Sequence, residues 1–188
     1  IFCSQCDQCK AGNAHICRNL KFFSIDTDGF FAKYAIIPEQ SAWKNPKGMK
    51  PEVATLQESM GNSVYTVDEA KVAGKTVAIF GLGPTGLFAT GIAKAYNAGQ
   101  VIAIAGTQKH IGIAKKMGAD TIINRHEKDP VKELLEVTEG LGVDVCLEMS
   151  GSAQALQQAL DATKPTGKIM ALGLPTKEIQ IDVSKKIV

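Results

Sequence analysis

The 188-residue sequence has no apolar run approaching the length needed to cross a bilayer. It has no excess of charge of either sign. Lys and Arg total 21 against 19 Asp and Glu, a net +2, which leaves no basic field for nucleic acid and no acidic tail. It has no repeat of solenoid period and no low-complexity segment. No secretory signal stands before its first cysteine, and five cysteines cannot all pair, so a disulfide framework is disfavoured. No Met opens the chain, and IQIDVSKKIV closes it without a terminating signal, so the sequence reads as a piece of a longer protein. What remains, 45% hydrophobic and 21% charged, is the composition of an ordinary soluble globular chain.

Against these absences one feature stands out. Cys3, Cys6, Cys9 and Cys17 follow a C-x2-C-x2-C-x7-C spacing within CSQCDQCKAGNAHIC. Structural Zn2+ takes four soft ligands in a closed tetrahedron. Closely spaced thiolates can wrap one face of the ion, and Gly12 lets the chain turn back with the fourth. Such a site contributes on the order of 10 kcal/mol of folding free energy to a lobe that is otherwise loop. An iron–sulfur site is the alternative, because thiolates also suit iron. A thiolate–metal lobe fits a reducing, intracellular compartment. His15 lies between the third and fourth cysteines and reads as a surface residue, since the tetrahedron is already full. Cys146, in the apolar run VDVCLEMS, reads as a small core hydrophobe of a buried strand.

The lobe is expected over residues 1–28. GFFAKYAIIPEQSAWK then reads as strand ended by Pro38, with Tyr34 and Trp43 packed into a core. Residues 53–70 look helical but broken near Gly61-Asn62, and Gly74-Lys75 marks a domain boundary. Beyond it, short apolar strands alternate with amphipathic helices. The strands are expected at Thr76–Phe80, Val101–Ala105, Thr121–Ile123, Val143–Met149 and Lys168–Leu172. The helices are expected near 84–97, 108–117, 130–139 and 152–163. Continuously apolar strands are buried on both faces, and their alternation with helices forces a parallel sheet with right-handed crossovers. That is the α/β, doubly wound dinucleotide-binding (Rossmann) pattern.

Gly81, Gly83 and Gly86 form a G-x-G-x-x-G in VAIFGLGPTGLFA, between the first of these strands and the first helix. The first glycine permits the tight turn, the second a close approach of backbone to pyrophosphate, the third close packing of helix on strand. The helix start offers unpaired N–H groups to the phosphates. In this setting the motif is a strong signal. An acid should follow the second strand to hold the ribose 2′-OH. None stands at Ala105, Gly106 or Thr107. Thr107, Lys109 and His110 could donate to a 2′-phosphate, although no Arg stands among them; NADP, and an NAD enzyme that has dispensed with the acid, are equally open.

A four-cysteine lobe, then GLGPTG, then βαβ units resembles the zinc-containing medium-chain alcohol dehydrogenase superfamily. DTDGFFAKYAIIP, WKNPK, AKKMGAD, GVDVCLEMSG and ALGLPTKEIQID extend the likeness over essentially the whole chain. ATLQESMGNSV and the EMSG segment point to its threonine-oxidising branch. The resemblance implies a cytoplasmic, usually tetrameric enzyme. It would pass hydride from the 3-hydroxyl of L-threonine to NAD or NADP, giving 2-amino-3-oxobutanoate, with a catalytic zinc as Lewis acid. It further implies that residues 1–73 are part of a GroES-like catalytic domain and 74–188 an incomplete Rossmann domain.

Carried over residue by residue, the resemblance assigns Glu58 beside the catalytic zinc, as ligand or proton relay. The family's Cys and His-Glu ligands would precede Ile1, so the piece is expected to be inactive. Ser59 replaces the usual Pro after that acid. Pro84 and Thr85 fall in the dinucleotide loop, and Leu172, Gly173 and Leu174 match the segment meeting the nicotinamide half. Ser150-Gly151 could line the same crevice. Ala105 and His110 stand where NAD-using relatives carry an acid and an arginine. Arg125 and His126 read as a solvated loop, and Lys115-Lys116 and Lys185-Lys186 as exposed charge. Two rivals remain: a polyol or secondary-alcohol dehydrogenase of the same superfamily, and a non-catalytic, zinc-lobed nucleotide-binding module.

Overall fold

A computed structural model describes residues 1–182. The Lys185-Lys186 pair lies outside the described residues. The chain divides into two compact units, Ile1–Met49 and Lys50–Val188. The division falls earlier than the expected boundary at Gly74, because the helix before that glycine packs chiefly on the first helix that follows it.

In Ile1–Met49 the one α-helix is a single turn, α1 (Asp7–Lys10). Arg18 grips it from the far side of the loop, donating through Nε and Nη2 to the Asp7 carboxylate at 2.6 and 2.7 Å. The strand expected in GFFAKYAIIPEQSAWK is absent among the described residues; only Phe23 and Thr27 form an isolated bridge. An apolar pattern specifies a strand's faces, but a ladder needs a partner edge, and this unit supplies none. Tyr34 and Trp43 are correspondingly 84% and 83% exposed, against the expectation that both would be core.

In Lys50–Val188, α2 (Pro51–Ala54) leads through Thr55-Leu56 into α3 (Gln57–Ala70). The break therefore precedes Gln57, and α3 runs unbroken through Gly61. One helical glycine costs about 1 kcal/mol. The buried stripe Ser63, Thr66, Val67 and Ala70, at i, i+3, i+4 and i+7, outweighs it. The alternating elements then follow: β1 (Thr76–Phe80), α4 (Pro84–Ala95), β2 (Gln100–Ala105), α5 (Gln108–Lys116) and β3 (Thr121–Asn124). They continue with α6 (Pro130–Val137), β4 (Val143–Glu148), α7 (Ala153–Ala162) and β5 (Thr163–Ala171).

All neighbouring strands pair parallel, in the order β3-β2-β1-β4-β5. Both faces of β1 are buried. Val77 and Ile79 join one apolar layer with Val67, Ala89 and Ala93, while Ala78 and Phe80 join another with Leu134 and Ala159. This is the doubly wound architecture that continuous apolar strands demand. Small residues let α4 lie close: its buried face is Gly86, Ala89, Thr90 and Ala93. The buried Thr90 hydroxyl donates to Gly86 O at 2.9 Å, so no polar atom is stranded there. Cys146 is fully buried in β4, and burial pushes its thiol up to about 12, as befits an inert core residue.

Candidate functional site

Strand order reverses between β1 and β4, and ligands of such sheets bind outside the carboxyl ends of the strands at that point. There a cleft of about 330 Å³ opens, lined by Gly81 and Gly83 after β1, Gly106 and Thr107 after β2, Arg125 after β3, and Ser150 after β4. Gly81 has φ +87°, and a Cβ on it would lie 2.6 Å from Ser150 Cβ. A Cβ on Gly86 would sit 2.0 Å from Gly81 O, so only glycine lets α4 start this close to the turn. At Gly83, the N-cap of α4, a Cβ would meet nothing within 4 Å. The turn is built by its first and third glycines, and the second faces open space. This cradle suits a dinucleotide pyrophosphate: exposed backbone at Gly83, Pro84 at the first helical position, and the N–H groups of the first turn of α4.

The other expected residues fall into three groups. Thr107 caps α5, accepting from His110 N at 3.3 Å, and both line the cleft; Lys109 does not. Thr85 is tied from behind, its carbonyl accepting from Ser63 Oγ of α3 at 2.8 Å. Leu172, Gly173 and Leu174 follow β5, where Leu172 N and Gly173 N donate to Glu148 O at 2.9 and 3.0 Å. None of the three lines the cleft.

Glu148, at the end of β4, is a residue that sequence reasoning missed. The residue is 2% exposed, and its carboxyl oxygens accept from Ser150 N at 2.8 Å, Gly151 N at 3.1 Å and the Ser150 hydroxyl. A buried carboxyl group whose oxygens are so satisfied fixes the turn that sets Ser150 against Gly81. The signal was an acid closing an apolar strand. Arg125 was also missed as a cleft residue, having been read as solvated loop.

In the cysteine lobe, all four expected sulfurs lie within 4.8 Å of one another. Cys6 Sγ and Cys17 Sγ are 3.9 Å apart. A tetrahedron with Zn–S bonds of about 2.3 Å puts sulfurs about 3.8 Å apart, so the spacing fits one ion. The five thiols are unpaired as disulfides. Backbone N–H groups point at the sulfurs: Cys3 N and Asn19 N at Cys17 Sγ, both 3.3 Å, and Cys6 N at Cys3 Sγ, 3.4 Å. Such donors orient and stabilise thiolates around a metal. Backbone N–H bonds from Gln5 and Cys6 pull the Cys3 thiol down to about 6; desolvation, then Cys6 and Cys17, push Cys9 up to about 12. Gly12 makes the turn at φ +85°, and His15 is exposed as expected.

Glu58 stands in the first turn of α3, exposed, with Asn62 Nδ2 donating to it at 2.5 Å and Ser59 Oγ at 3.4 Å. It does not line the cleft. The cysteine cluster is the one grouping of three or more such ligands among the described residues, so Glu58 alone does not fit a catalytic zinc, which takes three protein ligands.

A family model described as zinc-binding dehydrogenase matches residues 84–188. The chain belongs to the zinc-binding dehydrogenase family. The chain is 48% identical over all 188 residues to the L-threonine 3-dehydrogenase of Pyrococcus furiosus, and spans 54% of that relative's length. Among solved structures, the chain superposes on an Escherichia coli oxidoreductase of unknown specificity with TM-score 0.91 and 28% identity. That match covers 98% of this chain and 54% of the other. A zinc-binding dehydrogenase of Sinorhizobium meliloti bound to NADP gives TM-score 0.85 and 29% identity over 99% of this chain and 57% of its own.

Proposed function

We propose that this chain is the cofactor-binding and structural-zinc portion of an enzyme that oxidises the 3-hydroxyl of L-threonine to 2-amino-3-oxobutanoate. The observation that carries the reading is the match, at 48% identity over the whole of this chain and 54% of the relative, to a protein named for that reaction. The sinorhizobial neighbour's NADP supports a nicotinamide dinucleotide as cofactor. NAD(P)+, when bound, accepts the hydride; the protein's part is to hold and aim it.

In this reading Gly81, Gly83, Pro84, Thr85 and Gly86 seat the pyrophosphate, and Thr107 and His110 border the adenosine ribose. Leu172, Gly173 and Leu174 flank the nicotinamide half. Cys3, Cys6, Cys9 and Cys17 hold a structural zinc that closes the lobe. Glu58 serves the reaction only alongside ligands that the described residues do not assemble. Residues 1–73 belong with a GroES-like catalytic domain, and the whole protein is a cytoplasmic homo-tetramer with no nucleic-acid or membrane partner. No helix among the described residues is long and apolar enough to cross a membrane.

The 188-residue chain is therefore expected to bind dinucleotide weakly and to leave L-threonine unoxidised. Calorimetric titration with NAD+ and NADP+, beside an absorbance assay for reduced cofactor with threonine present, tests both halves. Turnover would sink the assignment of catalysis to residues outside this chain. Binding of neither dinucleotide would sink the cofactor reading.

A further inference from the structure

We infer that Arg125 makes this cleft selective for the 2′-phosphorylated dinucleotide, NADP. The inference rests on the proposed cofactor site and names what that site discriminates. Its origin is the register of the sheet. β2 and β3 pair in parallel with Ala105 opposite Asn124, so the residues that follow, Gly106 and Arg125, leave the sheet side by side. Arg125 N donates to Ala105 O at 2.9 Å, which extends the ladder by one step. The side chain then folds back over β2. A Cβ on Gly106 would lie 2.7 Å from Arg125 Nε and 3.0 Å from its Nη2, so the guanidinium rests on the glycine itself.

This is the place where an acid would hold a ribose 2′-OH. Here the glycine leaves room and the neighbouring strand supplies a cation. The charge is unopposed. Among the described residues no carboxylate pairs with Arg125, and no Asp or Glu lines the cleft. Glu127, the nearest acid along the loop, is engaged by Asn124 Nδ2 at 2.6 Å. The Asn124 side chain also accepts from His126 N at 3.1 Å, which holds the turn that delivers Arg125. A planar guanidinium donates to two phosphate oxygens at once, and Thr107 and His110 border the same space. A 2′-hydroxyl offers that cation far less than a dianionic phosphate does.

The test is equilibrium binding, measured by calorimetry on the 188-residue chain. The ligands are NADP+, NAD+, and the half-ligands 2′,5′-ADP and 5′-AMP. The wild-type chain is expected to prefer NADP+ to NAD+, and 2′,5′-ADP to 5′-AMP, with the preference shrinking as salt is raised. Arg125→Ala lowers the NADP+/NAD+ affinity ratio by about 10- to 100-fold, the loss of a charge-assisted contact, and Arg125→Lys recovers part of it. Gly106→Asp sets a carboxylate against the guanidinium, which can swing aside as the end of a flexible side chain, and moves the preference toward NAD+. A wild-type chain that binds NAD+ as tightly as NADP+ overturns the inference and leaves the cofactor site standing. So does a ratio unchanged in Arg125→Ala. If none of the four ligands binds, the cofactor reading falls and this inference with it.

Discussion

The two units of this chain are held together by different means. Ile1–Met49 buries one residue among those described, Cys17, and leaves side chains such as Ile36 (98%) and Trp43 (83%) in solvent. Lys50–Val188 buries whole strands: Val77, Ala78, Ile79 and Phe80 of β1 are each at most 1% exposed. Ordering a residue costs on the order of 1–2 kcal/mol of backbone entropy, and only burial or bonding offsets it. The sheet unit has the apolar area to do so. The cysteine unit does not, and four converging sulfurs take the place of a core.

The largest expected effect breaks the comparison at the metal. Loaded with zinc, the chain is expected to carry one ion per molecule by mass spectrometry. Chelation, or Cys17→Ser, then removes a contribution on the order of 10 kcal/mol from the lobe alone. Protection from hydrogen exchange should collapse over residues 1–28 while β1, β2 and β4 keep theirs. Protection of the lobe without metal would refute the zinc assignment. Collapse of the sheet along with it would show that the two units are one cooperative body.

The reverse experiment comes next in size. Ile79→Ala empties the middle of β1, at 0% exposure, and is expected to cost about 2–5 kcal/mol in denaturant unfolding. Trp43→Ala, a larger deletion by volume, is expected to change stability by less than about 0.5 kcal/mol because the ring is already in water. Cobalt substituted into the lobe should keep its thiolate absorption in both variants. A large loss from Trp43→Ala would mean that this side chain is packed in solution, and that the lobe has an apolar core after all.

The same contrast explains what could be read from the sequence. Strands β1, β2 and β4 were legible because runs such as TVAIF and QVIAIA admit one environment, burial on both faces. By contrast, β5 begins at Thr163, five residues before the expected Lys168, because its residues are only partly buried or exposed and carry no such run. The cysteine site was legible because its spacing is its geometry. GFFAKYAIIP was misread because alternation describes a strand's faces and is silent about whether an edge exists to pair with. Gly61 was misread as a break because its local cost is visible in sequence, whereas the α3 face that overrides it is a tertiary fact. Arg125 was passed over for a related reason. It lies some twenty residues beyond the strand whose end it covers, and only the Ala105–Asn124 register brings it there. Glu58 rests on resemblance alone, since nothing in the structure draws it into the cleft.

The smallest expected effect compares one ion pair from each unit. Asp7 with Arg18 is solvent-exposed, at 55% and 66%, whereas the Asp144 side chain is 26% exposed and pairs with Lys164. Asp144 also accepts from Thr76 N at 2.8 Å, tying the start of β1 to β4. Partial burial alone would raise the Asp144 carboxyl; the Lys164 ammonium and the Thr76 N–H outweigh it and hold the group below its ordinary value. A carboxyl depressed in the folded state binds its proton more readily in the unfolded one. Its stabilisation is therefore complete above the ordinary carboxylate range and is lost as pH falls through the depressed folded value. Asp144→Asn is expected to cost about 1–2 kcal/mol at neutral pH, with the gap from wild type closing below about pH 4. Arg18 likewise holds the Asp7 carboxyl below its ordinary value, yet both partners sit in water, where such pairs contribute little. Asp7→Asn should leave the unfolding midpoint unmoved at either pH. A pH-dependent loss from Asp7→Asn as large as that from Asp144→Asn would mean that the lobe shields its charges as the sheet unit does, and the contrast between the two units would fail at its smallest scale.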